Sequence, residues 1–219
     1  MRANTPEPSR TASRALPPGA RGSAGALAVV AFAACALASC SGPARFIDKE
    51  ADIPFYERVA IVPFSALGSD ATSGQKVTAV FFVELLRASQ FEVVEPGQFT
   101  AAMTRVRGGT PAGNPWSTAE LAKLGEEAGV QGIFFGTVRD YEMERSGQEA
   151  FPVVSVDARF VDAATGRVVW SANRTRRGGP GIPLAGIIFG LFGGGEIHTL
   201  GEITSEVCRE LIATLPGGR

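Results

Sequence analysis

The feature that most constrains this chain is an uncharged apolar run near its start. Residues 24–37 read AGALAVVAFAACAL, 14 residues without a charge. That length suits the core of an export signal, whereas a helix that spans a bilayer needs roughly 20 apolar residues. The preceding segment carries one acid, Glu7, and four arginines: Arg2, Arg10, Arg14 and Arg21. A buried N-terminal core helix would need a polar face, which the run lacks, so we expect residues 1–39 to direct export.

The run closes on small residues followed by a cysteine, Leu37-Ala38-Ser39-Cys40. This motif resembles the lipobox of bacterial lipoproteins. The resemblance implies signal cleavage between Ser39 and Cys40 and lipid attachment at the Cys40 thiol. Two or three acyl chains hold a protein on a membrane durably, at about 0.8 kcal/mol per buried methylene. Ser41 stands where lipoproteins retained in the inner membrane often carry Asp, which favours the outer membrane, facing the periplasm.

The cysteines and the charge of the remaining chain agree with this prediction. Cys35 would leave with the signal and Cys40 would carry lipid, so Cys208 has no partner for an intramolecular disulfide. Its apolar neighbours predict a thiol packed in a helix. Removing residues 1–39 takes away four arginines and one glutamate, which leaves an acidic chain. Nothing in this balance indicates nucleic-acid binding.

Beyond the lipobox, strand-type and helix-type hydrophobic patterns alternate. We predict strands at residues 58–64, 91–94, 131–138, 151–161 and 167–174. The polar stretch 139–150 could prolong the third strand or form a loop. We predict helices from Ser73 to about Ser89, from Pro96 through Val106, from a capping box at Ser117–Glu120 to Gly129, and from Leu200 to Leu215.

This order of elements predicts a single α/β domain, a mixed five-stranded sheet covered by helices. Residues 57–215 would form the domain, and residues 40–56, which show no sustained period, would be a tether. Asp162-Ala163-Ala164-Thr165-Gly166 predicts a hairpin turn. In the strand that follows it, we expect Val168, Trp170 and Ala172 to share one face.

Four segments together resemble the periplasmic domain of curli-secretion (CsgG-like) lipoproteins: RVAIVPF, QFEVVEPGQF, LAKLGEEAGVQGIFFGTV and VDARFVDAATGRVVWS. The resemblance covers roughly residues 57–174. Similar domains occur in LpoB-type activators of penicillin-binding proteins and at the N terminus of TolB. The most telling phrases are the AGV turn before the FFG strand and the DA-TG hairpin that ends in Trp-Ser. They imply a fold and carry no catalytic motif.

A Gly-rich apolar insert at residues 178–195 interrupts the domain. Its seven large apolar residues are Ile182, Leu184, Ile187, Ile188, Phe189, Leu191 and Phe192. We expect them to contact membrane or a partner subunit, aided by Arg174, Arg176 and Arg177, which could meet anionic head groups. A short core helix under the sheet is the alternative. Membrane strands need about 9–11 residues each, so the insert is too short for the four strands of a curli-type pore subunit.

Catalytic and metal-binding patterns are sparse. His198 is the only histidine, and no second ligand stands near it at metal-ligand spacing. Asp140, Glu142 and Glu144 alternate and would share a strand face, where a solvated edge is the simpler interpretation and a divalent-ion site the alternative. We therefore expect a protein that is not an enzyme, with no metal, no cofactor and no small-molecule substrate.

The sequence thus predicts a non-enzymatic lipoprotein, anchored at the outer membrane through Cys40, that acts in envelope assembly or protein interaction. Its partners would be the membrane, an envelope protein or further copies of itself. Two alternatives follow from the resemblance. One is an oligomeric secretion component of the curli type, and the other is an activator of a penicillin-binding protein.

Overall fold

A seven-stranded mixed sheet organises the protein in a computed structural model, which describes residues 44–68, 70–88, 91–108, 115–146, 149–178 and 199–216. All of these residues belong to one compact unit, Gly42–Arg219. The strands are β1 (Ala44–Ile47), β2 (Arg58–Ile61), β3 (Ser65–Ala66), β4 (Glu92–Val93), β5 (Gly132–Ser146), β6 (Glu149–Asp162) and β7 (Val168–Arg177). The helices are α1 (Ser73–Ala88), α2 (Pro96–Arg107), α3 (Thr118–Ala128) and α4 (Leu200–Ile212), and a short 3-10 turn spans Ile53–Phe55.

The strand order is β1-β7-β6-β5-β2-β4, and β3 pairs with β5 beside this path. The β1–β7, β7–β6 and β6–β5 pairs are antiparallel, whereas β2 runs parallel to both β4 and β5. Helices lie between the parallel strands β2 and β4 and between β4 and β5, whereas a turn joins the antiparallel strands β6 and β7. The predicted α/β class with a mixed sheet is therefore confirmed.

Helices α1 and α4 cover one face of the sheet, called here the α1/α4 face. Residues spaced four apart on each helix point inward and are fully or almost fully buried: Val77, Phe81 and Leu85 on α1, and Ile203, Val207 and Leu211 on α4. They pack on alternate residues of β6: Val154, Val156, Ala158 and Phe160. The four-residue spacing thus places one apolar stripe of each helix on the sheet.

Helices α2 and α3 cover part of the opposite face, called here the α2/α3 face. Phe99, Leu121 and Leu124 pack there against Ile133 and Val161 in a second, smaller core. The predicted capping box of α3 is present, with Ser117 accepting from the Glu120 amide and the Glu120 side chain accepting from the Ser117 amide. This helix ends at Gly129, which has the left-handed φ of 64° that favours glycine.

The segment predicted to be a tether is instead part of the domain from Ala44 onward. Residues 44–47 form β1 on β7, and Ile53 and Tyr56 are buried in the core on the α1/α4 face. The sheet also gains β3 beyond the predicted strands, so it has seven strands rather than five. The tether prediction failed because β1 is fixed by backbone pairing to a distant strand and three of its four side chains are exposed.

A bulge in β7 changes the predicted face of one residue. Trp170 lies opposite Phe160, but Val168 lies opposite Val161, so Val169 is an extra residue between the two pairs. Val169 and Trp170 therefore both enter the larger core, while Val168 packs on the α2/α3 face. The prediction that Val168 shares a face with Trp170 and Ala172 is wrong, because a bulge shifts the alternation by one residue.

The hairpin between β5 and β6 is long. The polar stretch after Val138 prolongs β5 to Ser146, with a bulge at Arg139, and its pairing with β6 runs out to Glu149. The last pair between β6 and β7 joins Val153 to Arg177. Beyond that pair the hairpin continues as a two-stranded ribbon.

The DA-TG turn links β6 to β7 through the side chain of Asp162. One carboxylate oxygen accepts from the amide and hydroxyl of Thr165, both at 2.7 Å, and the other accepts from the Tyr56 hydroxyl at 3.0 Å. Burial opposes ionisation of Asp162, but these hydrogen bonds outweigh it and hold its pKa below the usual value. Gly166 completes the turn with a φ of 70°.

We predict that Gly132→Ala destabilises the protein, because a β-carbon there would overlap the buried Phe160 ring. Overpacking of this kind costs about 1–3 kcal/mol of unfolding free energy, measurable by urea denaturation. Gly201→Ala is the matched control, since its β-carbon would meet nothing closer than the Thr199 hydroxyl at 3.8 Å. The control should be neutral or stabilising, by up to about 1 kcal/mol. Equal losses in both variants would contradict the assigned packing.

Candidate functional site

The site residues predicted from sequence lie outside the described residues. This holds for Ser39 and Cys40, for His198, and for the insert side chains Ile182, Leu184, Ile187, Ile188, Phe189, Leu191 and Phe192. Lipid attachment and the membrane or partner contact therefore stay predictions. In the part of the chain that the structure describes, no helix is both long and apolar enough to cross a membrane.

The three arginines before the insert each contact a carboxylate. Arg174 and Arg176 pair with Glu210 of α4, and Arg177 pairs with Glu144 of β5. Burial opposes ionisation of Glu210, yet the two arginines outweigh it and hold its pKa below the usual value. Each of the three arginines thus has a carboxylate beside it, and the expectation that they meet anionic head groups stays a prediction.

The acidic series lies on one strand face, as predicted. Asp140, Glu142 and Glu144 stand opposite Ser155, Val153 and Phe151 of β6. The Glu144 carboxylate pairs with the Arg177 guanidinium. Within the described ranges, no group of three or more His, Cys, Asp or Glu side chains has a geometry that could hold a metal ion.

A groove of about 1190 Å³ lies between α2 and the part of the α2/α3 face that the helices leave open. We call it the α2 groove. Its helical wall is formed by Thr100, Met103, Thr104 and Arg107, with Pro115 and Trp116 beside it; its floor is formed by Phe135, Gly136, Thr137, Asp157, Ala158, Arg159 and Ser171; and its far end is formed by residues 62–66, Ala71 and Gln75.

The FFG sequence of β5 builds both the floor of this groove and the core beneath it. Phe134 points to the α1/α4 face, and Phe135, one residue on, points to the α2/α3 face. Gly136 leaves room for the Phe64 ring, which a β-carbon would overlap. Phe64 is held in turn by its amide, which donates to the Thr78 hydroxyl at 2.8 Å. The FFG motif, which is part of the family resemblance, therefore lets the segment that contains Phe64 pack closely on β5.

A stacked pair forms the rim of the groove beside α2. The Arg107 guanidinium lies over the Trp116 ring, 3.5 Å from its centre, and its Nε donates to Glu120 at 3.1 Å. Arg107 also donates to the Pro115 carbonyl at 3.0 Å, and its side chain is only 6% exposed. Trp116 is thereby fixed in position, since a buried guanidinium with several partners has little freedom to move.

Charged residues line the floor across from that rim. The Arg159 guanidinium lies 5.2 Å from the centre of the Phe135 ring, and Asp157 pairs with Arg139 at 3.1 Å. The Ser65 hydroxyl contacts that of Thr137 at 3.1 Å. The groove thus combines an aromatic floor, a fixed Trp–Arg rim and polar edges, the combination common at the centres of protein interfaces.

The α2 groove was not predicted from the sequence. Its residues come from two helices, four strands and the segments after β2 and before α3, so no local pattern joins them. The sequence offers one signal of the groove, the alternation at residues 157–159. Asp157 and Arg159 lie on the face opposite the inward Ala158, and two charged side chains could not both be packed in a core there.

Cys208 matches its prediction as a packed thiol. It is fully buried in α4, and burial raises the pKa of the thiol to about 12, with the nearby Glu84 carboxylate adding to the shift. The thiol therefore stays protonated near neutral pH, where only a thiolate would react readily.

Comparison with protein families and with curated proteins finds no match. Among solved structures, the PelC dodecamer from Paraburkholderia phytofirmans is similar at a TM-score of 0.49 and 15% identity, covering 79% of this chain and 97% of that one. Lipoprotein GNA1162 from Neisseria meningitidis is similar at 0.46 and 21%, covering 62% and 92%. The LpoB C-terminal domain from Salmonella enterica is similar at 0.40 and 15%, covering 55% and 82%. The expected structural resemblance to LpoB-type domains is confirmed, and at these identities it concerns the fold alone.

We predict that Arg107→Lys lowers the unfolding free energy by about 1–2 kcal/mol, because an ammonium cannot keep the ring stack and the forked hydrogen bonds together. Arg105→Lys is the matched control on the same helix. Arg105 pairs with Glu127 but its side chain is 59% exposed, so its loss should cost no more than about 0.5 kcal/mol. Urea denaturation of both variants checks the difference, and equal losses would show that the rim is not fixed as described.

Proposed function

We propose that the protein is a non-enzymatic lipoprotein, anchored at the outer membrane through Cys40, that presents its α/β domain to other envelope proteins in the periplasm. One observation carries the proposal: an uncharged apolar run ends in a lipobox, and the folded domain begins four residues later at Ala44. An export signal, a lipid site and a domain therefore follow one another with almost no intervening chain.

The α2 groove supports protein interaction as the role of the domain. Its Trp116–Arg107 rim consists of two of the residue types that are enriched at interface hot spots. Both are held in place before any partner arrives, which lowers the entropy lost on binding. Its described lining contains no histidine or cysteine that could serve as base or nucleophile.

Self-association is the second candidate, and exposed apolar side chains favour it. Val83 and Leu86, three residues apart on the outer side of α1, are 50% and 48% exposed, and Phe46 on the edge strand β1 is 53% exposed. Such surfaces suit contacts between copies of the chain. An oligomeric secretion component would use them together with the insert residues 182–192, whereas a penicillin-binding-protein activator would use the α2 groove as a monomer.

We predict that Cys40→Ala abolishes lipid attachment, so that unprocessed or unanchored protein replaces the membrane-bound form. Cys35→Ala is the matched control, because Cys35 would leave with the signal and its loss should change nothing in the mature protein. Mass spectrometry of each purified form, together with membrane fractionation, checks both outcomes. Lipid on the Cys40→Ala protein would refute the proposed anchor.

The mass of the mature protein in mild detergent separates the two candidate roles. We expect light scattering after size exclusion to give a monomer or dimer if the domain is a tethered binding module. A closed ring of many subunits would instead show self-association and favour the secretion candidate. In that case Val83→Glu, which puts a charge on the exposed side of α1, should reduce the mass if α1 forms the contact.

A further inference from the structure

We infer that the outer part of the β5–β6 hairpin, residues 142–145 and 150–152, rests on the lipid surface to which the protein is anchored. The inference depends on the proposed lipid at Cys40. It follows from the length of chain between that residue and β1, compared with the length of the hairpin beside it.

The direction of β1 determines which end of the sheet faces the anchor. Ala44 lies opposite Asn173 and Ile47 lies opposite Trp170, so β1 is antiparallel to β7. The N-terminal end of β1, at Ala44, therefore points to the Arg177 end of β7. The β5–β6 hairpin projects from this same end, since the last pair between β6 and β7 is Val153 with Arg177.

The chain to the anchor is shorter than the hairpin. Residues 41–43 separate Cys40 from Ala44, so these two Cα atoms lie within about 14 Å of each other even when the chain is fully extended. Asp157 stands in the row of Ala44 through Asn173, and from Asp157 to Val153 the strand advances about 13 Å. From Val153 to Glu149 the two-stranded ribbon continues for about another 13 Å.

These lengths leave no space between the ribbon and the bilayer. The membrane surface at Cys40 lies no farther from Ala44 than about 14 Å, the distance over which the strands advance from the row of Ala44 to the start of the ribbon. An upright domain would press the ribbon into the head groups, and a tilted domain would lay it along them. In both arrangements the ribbon meets lipid.

The chemistry of the ribbon fits the head-group region. On one side Met143, which is 47% exposed, stands opposite Pro152. On the other side are Glu142 and Glu144, and Glu144 pairs with Arg177. An apolar side chain beside charged ones suits the interface, while the charges keep the ribbon out of the hydrocarbon core.

The test uses the full, processed chain in vesicles of phosphatidylethanolamine with a minority of phosphatidylglycerol. Met143→Cys carries an environment-sensitive fluorophore, and quenching by lipids with spin-labelled head groups reports contact. Lys123→Cys, an exposed site on α3 beside the Asp162–Gly166 turn, is the control. Cys208 is buried and its thiol protonated, so it does not compete for the label. We expect several-fold stronger quenching at residue 143 than at residue 123.

A lengthened tether tests the cause. About 20 glycine and serine residues placed between Pro43 and Ala44 add a mean span of about 25 Å, so quenching at residue 143 should fall to the level of residue 123. Unchanged quenching would overturn the inference from reach. A water-exposed label at residue 143 in a chain that mass spectrometry shows to be lipidated would overturn the hairpin contact and leave the anchor standing. Absence of lipid at Cys40 would overturn both.

Discussion

The stack of Phe134 on Phe160 is the contact on which the other packing depends. Their ring centres lie 4.4 Å apart, near the Gly132–Asp162 end of the β5–β6 pair, and both rings are fully buried. Other aromatic rings surround the stack, each with a centre within 6.2 Å of one of the two: Tyr56, Phe81, Phe91 and Trp170. These rings come from the N-terminal segment, α1, the start of β4 and β7, so one cluster fixes each of these elements on the α1/α4 face. Trp170 extends it to the end of α4 by donating to Thr214 at 3.0 Å.

Features set by residues close together in sequence could be predicted. The helices and the capping box of α3 follow from local spacing, and the Asp162–Gly166 turn follows from a carboxylate and a glycine four residues apart. The fold class followed as well, because the order of elements limits how a sheet can be covered. The packed state of Cys208 was predictable for the same reason, since its neighbours on α4 belong to one apolar stripe.

Features set by distant pairing could not be predicted. β1 is only four residues long and mostly exposed, and only its backbone bonds to a strand over a hundred residues away reveal it. The bulge at Val169 shifts the alternation by one residue in a segment whose composition reads as a regular strand. The α2 groove unites residues from separate elements, and the stack of Arg107 on Trp116 joins the end of α2 to the segment before α3. Each depends on tertiary geometry, which outweighs local pattern wherever one strand or loop meets another.

The attachment of β1 determines what a lipid at Cys40 would do to the domain. A pull from the membrane would act along β1. The hydrogen bonds of an antiparallel ladder are perpendicular to the strands, so all the residue pairs between β1 and β7 would bear the load together. Behind β1, the Asp48 amide donates to the Val169 carbonyl at 3.0 Å, and Ile53 and Tyr56 are buried. Arg167 also pairs with Asp48 and Glu50, but its side chain is 49% exposed, so these ion pairs add little. The chain is fixed to the sheet from Ala44 onward. The short link to the anchor would therefore act on the sheet itself, and not on a flexible stalk, and would constrain the orientation of the whole sheet.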